Sequence, residues 1–136
     1  MKNIKFYSPI LLAFILCSFI DRTPWIAPKD AESVVNPYVG NVQATKAGAA
    51  IFSQQCVVCH GEKGKGDGLA ASGLDPKPAN LTLDKTQSSV DGVLFWKISN
   101  GRAPMPSFKG ILTEQQRWQA VNYLRELRAK YAIAKK

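Results

Sequence analysis

The sequence predicts an all-α domain, and three observations carry that prediction. No stretch of the 136 residues alternates apolar and polar side chains as a half-buried strand would. Three segments instead repeat apolar residues at helical spacing, and the stretches between them concentrate glycine and proline. With a mass of 14.9 kDa the chain has room for one domain and little more. Its 46% apolar content is enough for a modest core.

The first helix is predicted from Thr45, a plausible N-cap, through Gln55 and into residues 56–60. Ala47, Ile51 and Phe52 share one side of it, with Gly48 beside them. Residues 61–83 hold Gly61, Gly64, Gly66, Gly68 and Gly73, then Pro76 and Pro78. That composition predicts a long loop without regular elements, and a loop of such length usually wraps something. The second helix is predicted over residues 88–99, with Val90, Val93, Leu94 and Ile98 as its apolar side and Asn100-Gly101 as its stop. A Pro- and Gly-bearing loop around Met105 follows. Thr113-Glu-Gln-Gln116 then has the spacing of a capping box and opens the longest helix, which runs to about Ala132. Ala120, Val121, Tyr123, Leu124, Leu127 and Tyr131 form its apolar stripe, and Gln115, Gln119, Asn122 and Glu126 its opposite, polar face.

Ahead of these elements lie two segments of different character. Lys2 and Lys5 precede the apolar run of residues 10–20, which Asp21-Arg22 ends. A basic start and a short apolar run predict a signal peptide or membrane anchor over residues 1–20, and hence export. No Ala-x-Ala-like cleavage site follows, and Leu16 stands before Cys17 where a lipidation motif usually has a small residue. Cleavage to a soluble form is expected, with lipidation or retention as the other outcomes. Residues 21–44, with Pro24, Pro28 and Pro37, read as an extended arm or linker that can lie over the domain surface, so the domain proper is placed at residues 45–136.

The net charge of +8 is concentrated at the C-terminal end. There is neither a Lys/Arg stripe with interleaved aromatics nor a reader motif, so no nucleic-acid partner is expected. Membrane contact is expected only through residues 1–20. Three cysteines are too few for a disulfide scaffold.

Cys56-Val-Val-Cys59-His60 carries the chemistry. Two thiols three residues apart on a helical turn can each add to one vinyl group of a haem, and the next residue offers its imidazole to the iron. This spacing is the attachment signature of c-type haem, which is assembled outside the cytoplasm. Half a zinc site would need two further ligands, and Cys17 lies in the leader. A thioredoxin-like pair would need strands. With a single histidine in the chain, a second axial ligand must be of another type, and Met105 is the only methionine besides Met1. Pro104 and Pro106 stiffen the loop that presents its thioether. Cys56, Cys59, His60 and Met105 are therefore the candidate cofactor-binding residues, with His60 and Met105 on the metal. A soft thioether favours Fe(II), and six-coordination leaves no open site for a small substrate. The activity expected is one-electron transfer between redox proteins, without catalysis. A haem-c sensor or peroxidase-like module with a displaceable methionine is the alternative.

At these residues the chain resembles a class I, single-haem cytochrome c over residues 45–136. Cys-His-Gly-Glu-Lys-Gly-Lys-Gly-Asp-Gly (59–68) and Met105-Pro106 resemble bacterial periplasmic members. The resemblance implies three main helices plus loops wrapped around one covalent haem, with the first and last helices crossing near Gly48, Phe52, Tyr123 and Leu124. It also implies a proline carbonyl that accepts the Nδ1–H of His60, for which Pro76 and Pro78 are both candidates. Trp96, Arg102 and Asn80 are weaker candidates for the haem propionates, against readings as core aromatic, solvated charge and turn residue. Asp67 reads as a turn residue rather than a calcium ligand. The arm at 21–44 lies outside the family pattern.

Overall fold

A computed structural model describes residues 23–131. The leader predicted at residues 1–20 lies outside the described residues. Five α-helices follow one another: α1 (Val42–Gln55), α2 (Val57–His60), α3 (Asp84–Gln87), α4 (Asp91–Asn100) and α5 (Glu114–Tyr131). Short 3-10 turns lie at Lys29–Ser33 and Ala71–Gly73, and the described residues contain no strand, only an isolated bridge between Arg102 and Met105. No helix among them is long and apolar enough to cross a membrane.

The frame is the crossing of α1 and α5, the most extensive helix contact in the domain. Gly48 makes it possible, since a Cβ there would sit 1.9 Å from the Gln119 carbonyl oxygen. One turn on, the Phe52 and Tyr123 rings meet at 5.3 Å between centroids, tilted by 56°. Phe52, Leu124 and Leu127 form one buried cluster, and Leu94, Trp118 and Val121 another under α4. The expected crossing residues are thus the ones used.

α1 starts earlier than predicted, because Asn41 rather than Thr45 caps it, its side chain accepting from the Ala44 amide at 2.9 Å. The Thr113 capping box forms as read. The Thr113 amide donates to Gln116 Oε1 at 2.8 Å, and the Gln116 amide to Thr113 Oγ1 at 3.2 Å. α4 starts three residues later than predicted and ends one later, which leaves Val90 outside it and about half exposed. Gly101 ends it as predicted, with φ of 63°.

One difference and one expectation share a cause. Asn122, predicted on the polar face of α5, is buried, because the arm ahead of α1 lies over the domain surface and packs there. Asn36 is buried with Asn122, donating to its Oδ1 at 2.6 Å and to Asp91 Oδ2 at 2.7 Å. Asn122 Nδ2 in turn donates to the Tyr38 carbonyl. The 3-10 turn Lys29–Ser33 lies on α4 at Gly92, where a Cβ would stand 2.1 Å from the Ala31 carbonyl oxygen. A polar face invites solvent only when nothing covers it; here paired amides let two polar side chains be buried without loss.

Candidate functional site

The two-cysteine turn grows out of the end of α1. Cys56 closes that helix, and its carbonyl accepts from the amides of Cys59 at 3.2 Å and His60 at 2.8 Å. Cys56 through His60 therefore form one helical turn, with both thiols half-buried and free. Gly61, with φ of 76°, stops it.

Such a turn leaves its last carbonyls without helical partners, and the glycine-rich loop supplies them. The Val58, Cys59 and His60 carbonyls accept from the amides of Ala70 at 2.9 Å, Gly68 at 3.1 Å and Gly66 at 2.8 Å. This explains why the loop is glycine-rich. A Cβ on Gly68 would lie 2.5 Å from the Val57 and Val58 carbonyl oxygens, and one on Gly66 (φ of 78°) 2.4 Å from that of Pro78. What the loop wraps is the Cys56–His60 turn.

His60 Nδ1 lies 3.0 Å from the Ala79 carbonyl oxygen. The expected proline acceptor is thus corrected: neither Pro76 nor Pro78 but the residue after Pro78 fills the role. The register is held from the glycine loop, where the Leu81 amide donates to the Gly64 carbonyl at 2.7 Å. A carbonyl can only accept, so Nδ1 carries the proton and the Nε2 lone pair is left as donor to a metal. Burial lowers the His60 pKa below the usual histidine value, partly offset by that hydrogen bond, which favours the neutral ring a ligand requires.

Burial and the neighbouring Cys59 push the Cys56 thiol up to about 12. Its thiolate is therefore scarce near neutrality. In the folded, haem-free chain, alkylation of Cys56 is expected to keep accelerating from pH 9 to 11. An unfolded chain would level off near the ordinary thiol value of about 8.5. Mass-spectrometric mapping of iodoacetamide labelling distinguishes the two.

Met105 closes a tight turn, its amide donating to the Arg102 carbonyl at 2.9 Å. Its half-buried side chain packs against the cluster of Ile51, Phe108, Leu112 and Ala120. The loop returns to α4 through the Phe108 amide on the Ile98 carbonyl at 3.1 Å and Ser107 Oγ on the Ser99 carbonyl at 2.6 Å. Ile98 packs against both the Met105 cluster and the cluster that includes Cys56 and Val57. The two motifs, far apart in sequence, thus border one continuous apolar interior.

The weaker candidates are placed as follows. Asn80 accepts from the Thr82 amide at 2.9 Å and hydroxyl at 2.7 Å, as a turn residue does. Arg102 reaches the arm, donating to the Thr23 carbonyl at 2.7 Å. Trp96 lines a groove of about 370 Å³ between the arm and α4. Asp67 folds over the Gly61 turn, where a Cβ would meet its carboxylate. Sequence reading missed Ala79, because a backbone acceptor has no side-chain signature. It also missed Arg117, buried on α5 against the Phe95 ring at 4.9 Å and bonded to Ser99 Oγ.

The donor set fits a haem better than a bare ion. Among the described residues no three His, Cys, Asp or Glu side chains gather closely enough to hold a metal. Two thiols and a tautomer-locked imidazole on one turn suit instead a group that brings four ligands of its own. Residues 43–124 match the family described as cytochrome c oxidase, cbb3-type, subunit III. Cytochrome c6 of Nostoc sp. is 30% identical over 117 residues, covering 82% of this chain and 83% of that protein. Cytochrome c6 of Parathermosynechococcus lividus is 29% identical over 83 residues, covering 61% and 90%. A chain of the Kuenenia stuttgartiensis reducing HAO-like protein complex superposes with a TM-score of 0.58 at 29% identity, over 63% of this chain and 44% of that one. The all-helical frame is that of a class I, single-haem cytochrome c, and the chain belongs to the cbb3-type subunit III family within that class. It carries a covalently bound c-type haem with iron and works by haem-based electron transfer.

Proposed function

We propose that Cys56 and Cys59 form the two thioether bonds, that His60 and Met105 are the axial ligands, and that the protein shuttles single electrons between redox proteins outside the cytoplasm without catalysing a reaction of its own. The observation that carries this reading is the His60 Nδ1–Ala79 contact, which leaves Nε2 as the donor atom. The haem supplies a one-electron couple. The protein's part is to hold both ligands still: the glycine loop secures the attachment turn, and α4 secures the Met105 loop at Ser107 and Phe108. With Met105 and His60 holding the iron, the soft thioether would favour Fe(II) and raise the potential. Export by the leader at residues 1–20 fits the extracytoplasmic assembly of c-type haem. The test is the visible spectrum of the exported protein, oxidised and reduced. Sharp reduced haem-c bands with the weak far-red methionine–iron(III) band are expected. Haem c without that band would remove Met105 from the iron and bring forward a sensor or peroxidase-like module.

The net +2 of residues 56–110 would be offset by two propionates, and the largest share of the positive charge, net +4, lies in residues 111–136. Steering by charge is therefore expected to be weak near the haem. Raising ionic strength from about 0.01 to 0.15 M, where the screening length shortens from about 30 to 8 Å, should slow reduction by a partner less than about tenfold. Stopped-flow reduction measures it, and a hundredfold collapse would contradict it.

A further inference from the structure

The described part of the arm ahead of α1, residues 23–41, lies outside the matched family region, residues 43–124, yet it is fastened at both ends. Asn36 and the Gly92 approach hold its C-terminal half on α4 and α5. At its other end the half-buried Trp25 ring has the Arg102 guanidinium at 5.4 Å and the Lys97 ammonium at 5.5 Å. The Thr23 carbonyl accepts from Arg102 Nη1 at 2.7 Å. Arg102 is also the residue whose own carbonyl takes the Met105 amide, at 2.9 Å.

We propose that the arm is a strap, in which Trp25 and Thr23 act as positioning groups that hold Arg102, and through it the turn that presents Met105. This rests on Met105 being the axial ligand. The physical logic is local. Lys97 and Arg102 carry like charges and, left alone, would part. The indole face attracts both, and the Thr23 carbonyl takes one guanidinium hydrogen in a charge-assisted bond. On its far side the loop is already secured to α4 by Ser107 and Phe108. With Arg102 held, the segment bearing Met105 is fixed at both ends and loses little freedom on binding iron. A weak thioether bond depends on that. Without the clamp, an exogenous ligand competes with a looser one.

The test is an imidazole titration of the oxidised holoprotein, following loss of the far-red methionine–iron band, in the wild type and in Trp25→Ala, Trp25→Phe and Arg102→Gln. Trp25→Ala and Arg102→Gln are expected to lower the half-displacing imidazole concentration about tenfold. Trp25→Phe, which keeps an aromatic face, should stay within about threefold of wild type. Helix melting by circular dichroism is measured in parallel, because Asn36 and Gly92 still fasten the arm. Melting that falls while imidazole displacement stays unchanged would reduce the arm to a stabilising role and overturn the proposal. If Trp25→Ala fails to fold, Arg102→Gln, with Trp25 intact, decides alone. A wild type that lacks the far-red band would instead sink the Met105 reading itself.

Discussion

Gly48→Ala is expected to lower the melting temperature of the holoprotein by roughly 10–20 °C. In an ordinary helix interior this change would help, since alanine is favoured over glycine by about 1 kcal/mol. Here the new methyl would stand 1.9 Å from the Gln119 carbonyl oxygen, 2.6 Å from its carbon and 3.0 Å from Tyr123 Cβ. The first two are backbone atoms of α5 and cannot rotate away, so the helices must separate. Separation opens the Phe52–Tyr123 contact and the cluster of Phe52, Leu124 and Leu127. Overpacking of this kind costs typically about 1–3 kcal/mol and sometimes more. A 1.9 Å approach to backbone puts the cost at about 3–4 kcal/mol, above the typical range, and with about 1 kcal/mol returned by alanine the net loss of about 2–3 kcal/mol gives the stated shift at about 4–8 °C per kcal/mol. Thermal unfolding followed by circular dichroism checks it. A melting temperature at or above that of the wild type would show that the crossing is not limited by Gly48. The variant also bears on function, because α1 ends at Cys56 and tilts the attachment turn with it.

Met105→Ala should leave the fold nearly intact and change the redox centre. The side chain is half-buried at the edge of the Ile51–Phe108–Leu112–Ala120 cluster, so truncation removes part of one apolar contact. Its loop remains fastened by Ser107 and Phe108. On the proposed His60/Met105 ligation, loss of the thioether removes the ligand that favours Fe(II). The reduction potential is expected to fall by on the order of 100 mV, a fraction of the about 0.8 V that axial ligands command. The far-red band should vanish, and the reduced protein should bind CO rapidly where the wild type does not. Potentiometric titration and CO mixing are the measurements. An unchanged potential and spectrum would exclude Met105 from the iron.

How much of this could be read in the residues varies with the kind of information involved. The two-cysteine turn was legible because its geometry is local. Cys56, Cys59 and His60 need only one helical turn to be arranged, and that turn forms. The α5 capping box and the Gly101 stop were legible for the same reason, since each needs only three or four consecutive residues. The start of α1 was misplaced because Asn41 and Thr45 are both good caps by type. The choice between them depends on where the arm turns, at Tyr38 and Gly40 with φ of 74°. Asn122 was assigned to solvent because helical periodicity describes one face of one helix and nothing about what covers the other.

Two decisions belonged to the tertiary structure alone. One is the partner of His60: Ala79 acts through a backbone oxygen, identical in type at every position, so only the path of the loop past Pro78 selects it. The other is the arm, whose prolines suggest extension but whose docking depends on Gly92, Asn122, Arg102 and Lys97, all more than 50 residues further along the chain. The sequence by itself determined the all-helical class, the c-type haem cofactor, and the scarcity that makes Met105 the one internal methionine for the ligand role proposed above. It could do so because side-chain type and short spacing suffice for each. Which surfaces meet, which carbonyl orients the imidazole and what holds the methionine turn are set by contacts distant in sequence, and only the folded chain specifies those.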